Sequence, residues 1–333
     1  MQQLTLEQIK QIAFGVASVK EADGKIIFSR FTEAQQDLYK KVSADFYIKS
    51  FSTSGVSLEF QTNSENLGLS VAVSPGSSRR FFTHSIFVNG NRTDELSGKI
   101  EAGTNDTLFR KQFQLGAGDK KVRIAFPWSV SSKLVSLKLD DGAFVSPVTK
   151  DLKMLMFGDS ITQGYDASKP ENAYAVKLAE YLNADARNKG IGGECFRAEM
   201  ALLKEDIRPD VITVAYGTND WGKRTKEEFE RECKGFYTNL RKNYPCARIF
   251  ALAPIWRADI SEEKAICEPL SYISEYIKSV AEELGNITVI DCADFVPHSL
   301  EYYQTDGVHP IDAGFSCYIE NLWKSISAGN TIK

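Results

Sequence analysis

At 333 residues the chain is too long for one ordinary hydrophobic core and too short for three, so two domains of roughly 150 residues are expected. A composition of 43% hydrophobic, 25% charged and 11% aromatic residues, with 23 Gly and 10 Pro, excludes disordered, collagen-like and membrane-embedded classes. The net charge of -4 leaves no basic surplus to drive counterion release, so a nucleic-acid partner is not expected.

The first residues, Met1 to Glu21, hold no apolar run of the length an export signal needs, and no stretch approaches the roughly 18–20 apolar residues of a membrane span. The expectation is a cytoplasmic chain without membrane association. From Lys25 to about Val145, apolar and polar residues alternate with period two, as in Val56, Leu58, Phe60; Leu69, Val71, Val73; Val122, Ile124, Phe126; and Val135, Leu137, Leu139. This is the pattern of half-buried strands. Pro75-Gly76, Asn89-Gly90 and Asp141-Gly142 supply turns between them. Such short spacing leaves no room for crossover helices, so residues 1–147 are expected to form an antiparallel β-sandwich.

After Pro147 the pattern changes. Short apolar runs at Leu152 to Phe157, Val211 to Tyr216, Ile249 to Ala253 and Ile287 to Ile290 alternate with longer amphipathic stretches at Tyr174 to Leu182, Lys226 to Tyr244 and Ser271 to Leu284. That alternation predicts an α/β domain over residues 148–333, built on a buried parallel sheet. Charge divides at the same place: residues 1–150 carry 19 Lys+Arg against 15 Asp+Glu, and the remainder 21 against 29. Six cysteines (Cys195, Cys233, Cys246, Cys267, Cys292, Cys317) all lie in the second half without a C-x-x-C pair and are read as reduced core thiols. With three histidines and no H-E-x-x-H, no metal site is expected.

In an open parallel sheet, ligands sit beyond the carboxyl ends of the strands, so the polar residues following each apolar run carry the chemical interest. After the first two runs these are Gly158-Asp159-Ser160-Ile161-Thr162 and Gly217-Thr218-Asn219-Asp220; the segment of chain between them gives Asn188 to Glu194, and the C-terminal region gives Asp306-Gly307-Val308-His309-Pro310. A serine after a strand is commonly only a helix cap. Its company here is what matters. His309 is a candidate base, Asp306 can orient it from three residues away, Asn219 offers an amide donor and Gly193 an unobstructed backbone N–H. Together they supply a nucleophile, a base, an orienting acid and donors for a developing oxyanion.

On these blocks the sequence resembles the SGNH (GDSL-type) esterases. The four blocks, Gly158-Asp159-Ser160-Ile161, Asn188 to Gly193, Gly217-Thr218-Asn219-Asp220 and Asp306-x-x-His309, occur in the family's order, with Ile161 where the family name has Leu. The resemblance implies a flavodoxin-like three-layer αβα domain. It also implies Ser160 as nucleophile, His309 as general base and Asp306 as its partner, with the Ser160 amide, Gly193 and Asn219 forming an oxyanion hole. Gly190 and Gly192 compete with Gly193 for that donor role; a tight turn is their other reading. Asp159 is read as holding the loop, Asp220 as a loop or cap residue, and His298 as a surface histidine. An α/β-hydrolase would need G-x-S-x-G, which fails at Thr162. Neither G-x-G-x-x-G nor a phosphate-cradling loop is present, so no cofactor is implied.

A looser resemblance covers the first domain. Gln36-Asp37-Leu38-Tyr39 looks like the GxDLY-type β domain (jelly-roll-like) that precedes some SGNH hydrolases, although Gln35 replaces the glycine, and Ala253-Pro254-Ile255-Trp256-Arg257 looks like a stretch of the same subgroup. By the strand-end rule Trp221, Trp256 and Arg257 should face the site and bind substrate, with Tyr165 a weaker aromatic candidate; a place in the core is the alternative for each aromatic. The expected activity is hydrolysis of a short-chain ester, acetyl first, on a carbohydrate. Small lipid or alkyl esters, and transfer to an acceptor other than water, are the alternatives within the enzyme class. A glycan-binding module on an inactive hydrolase scaffold is the alternative outside it. The expected partner is a small-molecule or glycan ester, and the sandwich is a candidate either for one wall of the cleft or for homo-oligomer contacts.

Overall fold

The computed structural model describes residues 1–328 except Ala102 and Thr104. Its contacts divide the chain into two compact units, one made of Met1–Lys150 with Lys169–Glu171 and Asp185–Arg187, the other of Asp151–Ser168, Asn172–Ala184 and the chain from Asn188 onwards. Among the described residues no helix is long and apolar enough to cross a membrane.

In the first unit the period-two pattern builds two antiparallel sheets. One runs Ser18–Ala22, Lys25–Ser29, Val130–Leu139, Asn66–Pro75, Thr107–Gln114; the other runs Ser146–Pro147, Ser57–Thr62, Lys120–Ala125, Phe81–Val88, Asn91–Lys99. Their inward residues, among them Leu58, Phe60, Leu69, Val71, Val73, Val122, Ile124 and Phe126, form one buried core, so the sandwich expectation holds. Asn89 and Gly90 both take positive φ (49° and 83°), the two-residue hairpin that Asn-Gly favours. One detail departs from the sequence reading. A bulge between Leu134 and Ser136 shifts the register, so Leu134 rather than Val135 joins Leu137 and Leu139 inside. Helices Leu6–Ile12, Glu33–Val42 and Ala44–Ser50 interrupt the strands, and Thr5 and Thr32 open the first two with capping boxes. The Gln36 to Tyr39 segment lies in the second of these and buries Leu38 and Tyr39.

A five-stranded sheet, four of its strands wholly in the second unit, runs in the order Ala184–Gly190, Leu152–Gly158, Val211–Ala215, Arg248–Leu252, Ile287–Ile290, with parallel registers from Leu152–Gly158 onwards. Helices Tyr174–Tyr181 and Asp312–Ser327 pack on each other; Ala198–Leu202, Lys226–Asn243 and Leu270–Leu284 pack in series. This is the expected α/β architecture. Helix Lys226–Asn243 shows why the amphipathic stretches fold as they do: a Thr225/Glu228 capping box opens it, and Phe229, Cys233, Phe236, Tyr237 and Leu240 share its buried face. Strand order reverses at Leu152–Gly158, so the crevice between the ends of this strand and Val211–Ala215 is where an α/β sheet of this order receives a ligand.

Candidate active site

Beyond strand Leu152–Gly158 the chain turns at once into the single-turn helix Ser160–Gln163. Gly158 permits that turn, because a Cβ there would collide with the Thr162 side chain. The Asp159 carboxylate caps the helix by accepting the Ile161 amide at 2.9 Å, and Gly164 ends it at φ 107°. Burial pushes the Asp159 carboxyl up to about 6, against the Ile161 hydrogen bond and the charges of His309, Arg257 and Lys223. Asp159 thus stabilises the loop that presents Ser160. Ser160 itself is 5% exposed.

His309 arrives from the other end of the chain. The Asp306–His309 spacing works through a turn that Asp306 closes with its own side chain, not through a helix: Oδ1 accepts the Val308 amide at 2.9 Å and the His309 amide at 3.1 Å. Oδ2 then faces His309 Nδ1 at 2.7 Å, and Nε2 lies 2.8 Å from Ser160 Oγ. A carboxylate only accepts, so the ring proton sits on Nδ1 and leaves Nε2 as an acceptor for the serine hydroxyl. Burial alone would raise the Asp306 carboxyl, but hydrogen bonds from the His309 ring and from the His309 and Val308 amides hold it well below the usual carboxylate range.

The glycine-rich second block now separates into distinct parts. Gly190 N–H donates to Asn188 Oδ1 and Gly192 N–H to Gln163 Oε1, each at 2.8 Å. A Cβ on Gly190 would strike the Gln163 backbone, and one on Gly192 would come within 2.8 Å of the Tyr165 hydroxyl. Both are packing glycines. Gly193 has φ 89°, and among the described residues no group accepts a hydrogen bond from its amide or from that of Ser160. The Lys223 ammonium fixes the Gly193 carbonyl at 2.8 Å.

Asn219 stands in the turn after strand Val211–Ala215, where its Nδ2 donates to the Glu194 carbonyl at 3.0 Å and keeps a second N–H. Asp220 stitches the same two loops from below: its buried carboxylate accepts the Phe196 amide at 3.1 Å, while Arg224 bonds both Asp220 and the Phe196 carbonyl. Burial pushes Asp220 up to about 7, against the Arg224 charge and the Phe196 hydrogen bond.

The aromatic expectations fare unevenly. Trp221 is 1% exposed, and the Arg257 guanidinium lies 4.8 Å from its ring centroid, so one face of the indole is covered by the cation and the ring is not presented to solvent. Arg257 is held further by two hydrogen bonds to Asp259 (2.6 and 2.9 Å) and one to the Thr218 carbonyl (2.6 Å). Two of its five N–H groups are left. Trp256 stacks on His298 at 4.8 Å and meets Tyr303 edge-on. His298 is exposed, as expected of a surface histidine; its acidic neighbour is Asp294 at 3.1 Å, four residues before it, and it sits against Trp256, not against Ser160. Tyr165 is buried and stacks on the His309 ring at 5.5 Å.

Sequence reasoning missed Asp166, whose Oδ2 lies 3.9 Å from His309 Nδ1. Asp166, Asp306 and His309 each bring a potential metal-ligand atom within 4.8 Å of the others, but the closest pair is the His309–Asp306 hydrogen bond itself.

Residues 156–316 match a family model described as the GDSL-like lipase/acylhydrolase family. No curated protein matches the chain. Among solved structures, the chain is similar to a salicylyl-acyltransferase from a tetracycline biosynthetic pathway (TM-score 0.83, 20% identity, 96% of each chain covered). It is also similar to an acetyl xylan esterase from the rumen bacterium Butyrivibrio proteoclasticus (TM-score 0.67, 15% identity, all of both chains). A family two carbohydrate esterase from Clostridium thermocellum, solved in complex with cellohexaose, has a TM-score of 0.64 at 16% identity over 84% of this chain and 94% of its own. At these identities the likeness is one of fold, and it covers both units.

Proposed function

Since residues 156–316 form a carboxylic ester hydrolase domain of the GDSL-like lipase/acylhydrolase family, we propose that Ser160 is its nucleophile, His309 its general base and Asp306 the acid that orients His309. The observation that carries this is the Ser160 Oγ to His309 Nε2 distance of 2.8 Å, continued by the 2.7 Å His309–Asp306 bond.

His309 Nε2 takes the hydroxyl proton as Ser160 Oγ bonds to the ester carbonyl carbon. The carbonyl oxygen becomes an oxyanion, received by the Ser160 and Gly193 amides and the remaining N–H of Asn219. The imidazolium then protonates the leaving alkoxide, the C–O bond breaks, and an acyl-Ser160 ester remains. Water enters, loses a proton to His309 and releases the carboxylic acid by the same steps in reverse. Asp306, held ionised by its three donors, stabilises the imidazolium in both halves.

The substrate we propose is a short acyl ester, acetyl first, on a carbohydrate. The similarity of fold to esterases described as acting on acetyl xylan and as a carbohydrate esterase supports this reading. A second reading, transfer of the acyl group to an acceptor other than water, is supported by the likeness to the salicylyl-acyltransferase at TM-score 0.83. Both share the acyl-Ser160 step. A chain-length series of 4-nitrophenyl esters, then acetylated xylooligosaccharides with and without added alcohol acceptors, tests them: hydrolysis falling from acetate to octanoate and release of acetate from the sugar support the first, and a faster octanoate than acetate refutes it. New ester formed in the presence of the acceptor selects the second.

A further inference from the structure

We propose that Asp166 is a second carboxylate acting on His309, a positioning residue that shares with Asp306 the task of holding the imidazole and stabilising its charged form. The inference rests on the Ser160–His309 reading above and extends it to a residue outside the four blocks.

Three observations converge on it. Asp166 Oδ2 lies 3.9 Å from His309 Nδ1, the nitrogen Asp306 engages at 2.7 Å, so two carboxylates face one N–H. Their surroundings differ: the Asp166 side chain is 6% exposed and that of Asp306 40%. Solvent and salt screen the inner carboxylate less. The backbone at Asp166 takes φ 25°, a positive value that few residues other than Gly, Asn and Asp adopt. Departures of this kind persist where surrounding contacts over-determine them. Here Tyr165 N–H donates to the Ser160 carbonyl at 2.9 Å and Ala167 N–H to the Gly164 carbonyl at 3.0 Å, which fixes the residue between them. The segment therefore wraps the imidazole: Tyr165 stacks on its face and Asp166 stands at its Nδ1 edge.

The groups that bear on His309 are Asp306 and Asp166 at Nδ1, Ser160 at Nε2, Tyr165 on the face and, at longer range, the buried Asp159. When His309 accepts the serine proton, two nearby carboxylates oppose the new positive charge. Loss of Asp306 should then be buffered. Where one acid alone orients the histidine, replacing it typically lowers turnover by about 10⁴-fold. With Asp166 in place the Asp306→Ala variant should lose roughly 10–10²-fold, and the Asp306→Ala/Asp166→Asn double variant roughly 10⁴-fold. Asp166→Asn alone keeps the turn, since asparagine tolerates positive φ, and removes only the charge. It should move the acid limb of the pH profile of kcat/KM to lower pH, because the imidazolium has lost one neighbouring carboxylate, with KM unchanged.

The test uses the full chain and two readouts, hydrolysis of 4-nitrophenyl acetate and the rate of Ser160 labelling by a fluorophosphonate, for wild type, Asp166→Asn, Asp306→Ala, the double variant and Ser160→Ala. Buffered loss in Asp306→Ala, a further drop of roughly 10²–10³-fold in the double variant, and the lowered acid limb in Asp166→Asn support the proposal. A labelled wild type in which the single and double variants lose equal activity, or in which Asp166→Asn leaves the acid limb where it was, overturns it alone. An unlabelled wild type, or a labelled Ser160→Ala, overturns the Ser160–His309 reading and this inference with it.

Discussion

Replacing Asn219 with alanine removes two N–H groups of different function. One donates to the Glu194 carbonyl at 3.0 Å and ties the Asn219 turn to the Gly193 loop. Its loss should lower stability by about 1–3 kcal/mol, because Glu194 is buried and its carbonyl loses a donor, while three other contacts between the same loops survive. These are Lys223 to the Gly193 carbonyl, the Phe196 amide to Asp220 and Arg224 to the Phe196 carbonyl. The other N–H is the proposed oxyanion donor, and losing one such donor lowers kcat by about 10²–10³-fold, or roughly 3–4 kcal/mol of transition-state stabilisation. That donor acts on a charge absent from the ground state, so KM should change little. Steady-state hydrolysis of 4-nitrophenyl acetate, with urea denaturation of the same preparation, measures both effects. Asn219→Asp keeps the side chain's size, sets a negative charge beside the developing oxyanion, and should be slower still. A folded Asn219→Ala variant with kcat within about threefold of wild type would refute the assignment, since the smallest expected loss is about a hundredfold.

Three further outcomes follow from other parts of the second unit. Burial holds the Asp159 carboxyl at about 6, against 3.8 as its ordinary value, so between those pH values the folded chain binds a proton that the unfolded chain has released. Stability from this group is therefore greatest below pH 4, falls as pH rises to 6 and is level above. Asp159→Asn, whose amide oxygen can still accept from Ile161, should raise stability by about 3 kcal/mol at pH 8 and leave it nearly unchanged at pH 3.5; equal effects at both, by urea denaturation, contradict this. Arg257→Ala should uncover Trp221, raising acrylamide quenching of tryptophan fluorescence, and Arg257→Lys should only partly restore the cover because an ammonium cannot make the paired bonds to Asp259; unaltered quenching in Arg257→Ala would show that the guanidinium is not the lid. Cys246 is the exposed thiol among six free cysteines, four of them buried. A disulfide reagent should modify it first in the native protein, and a fast phase that survives Cys246→Ser would contradict that order.

The fold was legible wherever burial follows hydrophobicity. The apolar runs beginning at Leu152, Val211, Ile249 and Ile287 fall on four strands of the parallel sheet, and the alternating positions of the first domain fall on the sandwich core. The fifth strand, Ala184–Gly190, was invisible because its larger buried side chains are polar and its buried apolar ones are only Ala184 and Ala186: Asn188 donates to the Thr162 carbonyl at 2.7 Å, and Lys189 pairs with Glu205 at 2.6 Å with both side chains sealed from solvent. Periodicity registers hydrophobic burial and cannot see burial made tolerable by a partner. The bulge at Leu134/Ser136 was hidden for a related reason, since Leu134, Val135, Leu137 and Leu139 fit either register until the neighbouring strand fixes it.

At the site, the strand-end rule led to Ser160 and Asn219, the glycine-rich segment between them supplied Gly190–Gly193, and the short-range pair Asp306/His309 completed the set. What the sequence could not separate were the three glycines, because the difference lies in which amide is already spent: Gly190 donates to Asn188 and Gly192 to Gln163. Trp221 shows the rule's limit. A residue after a strand can turn inward, and this one does so beneath Arg257, which the same rule named as a separate binding residue after another strand. Asp166 lay beyond reach altogether, because it follows the Ser160 turn by six positions and meets His309 only through a positive-φ bend.

The pairing of Ser160 with His309 is open to one direct measurement, peptide mapping of the chain after brief exposure to a fluorophosphonate. The adduct should lie on the peptide containing Ser160 and nowhere else, and its rate of formation should collapse in His309→Ala while the variant's unfolding midpoint stays close to wild type. Phosphonylation of a different residue, or undiminished labelling without the imidazole, would contradict the account.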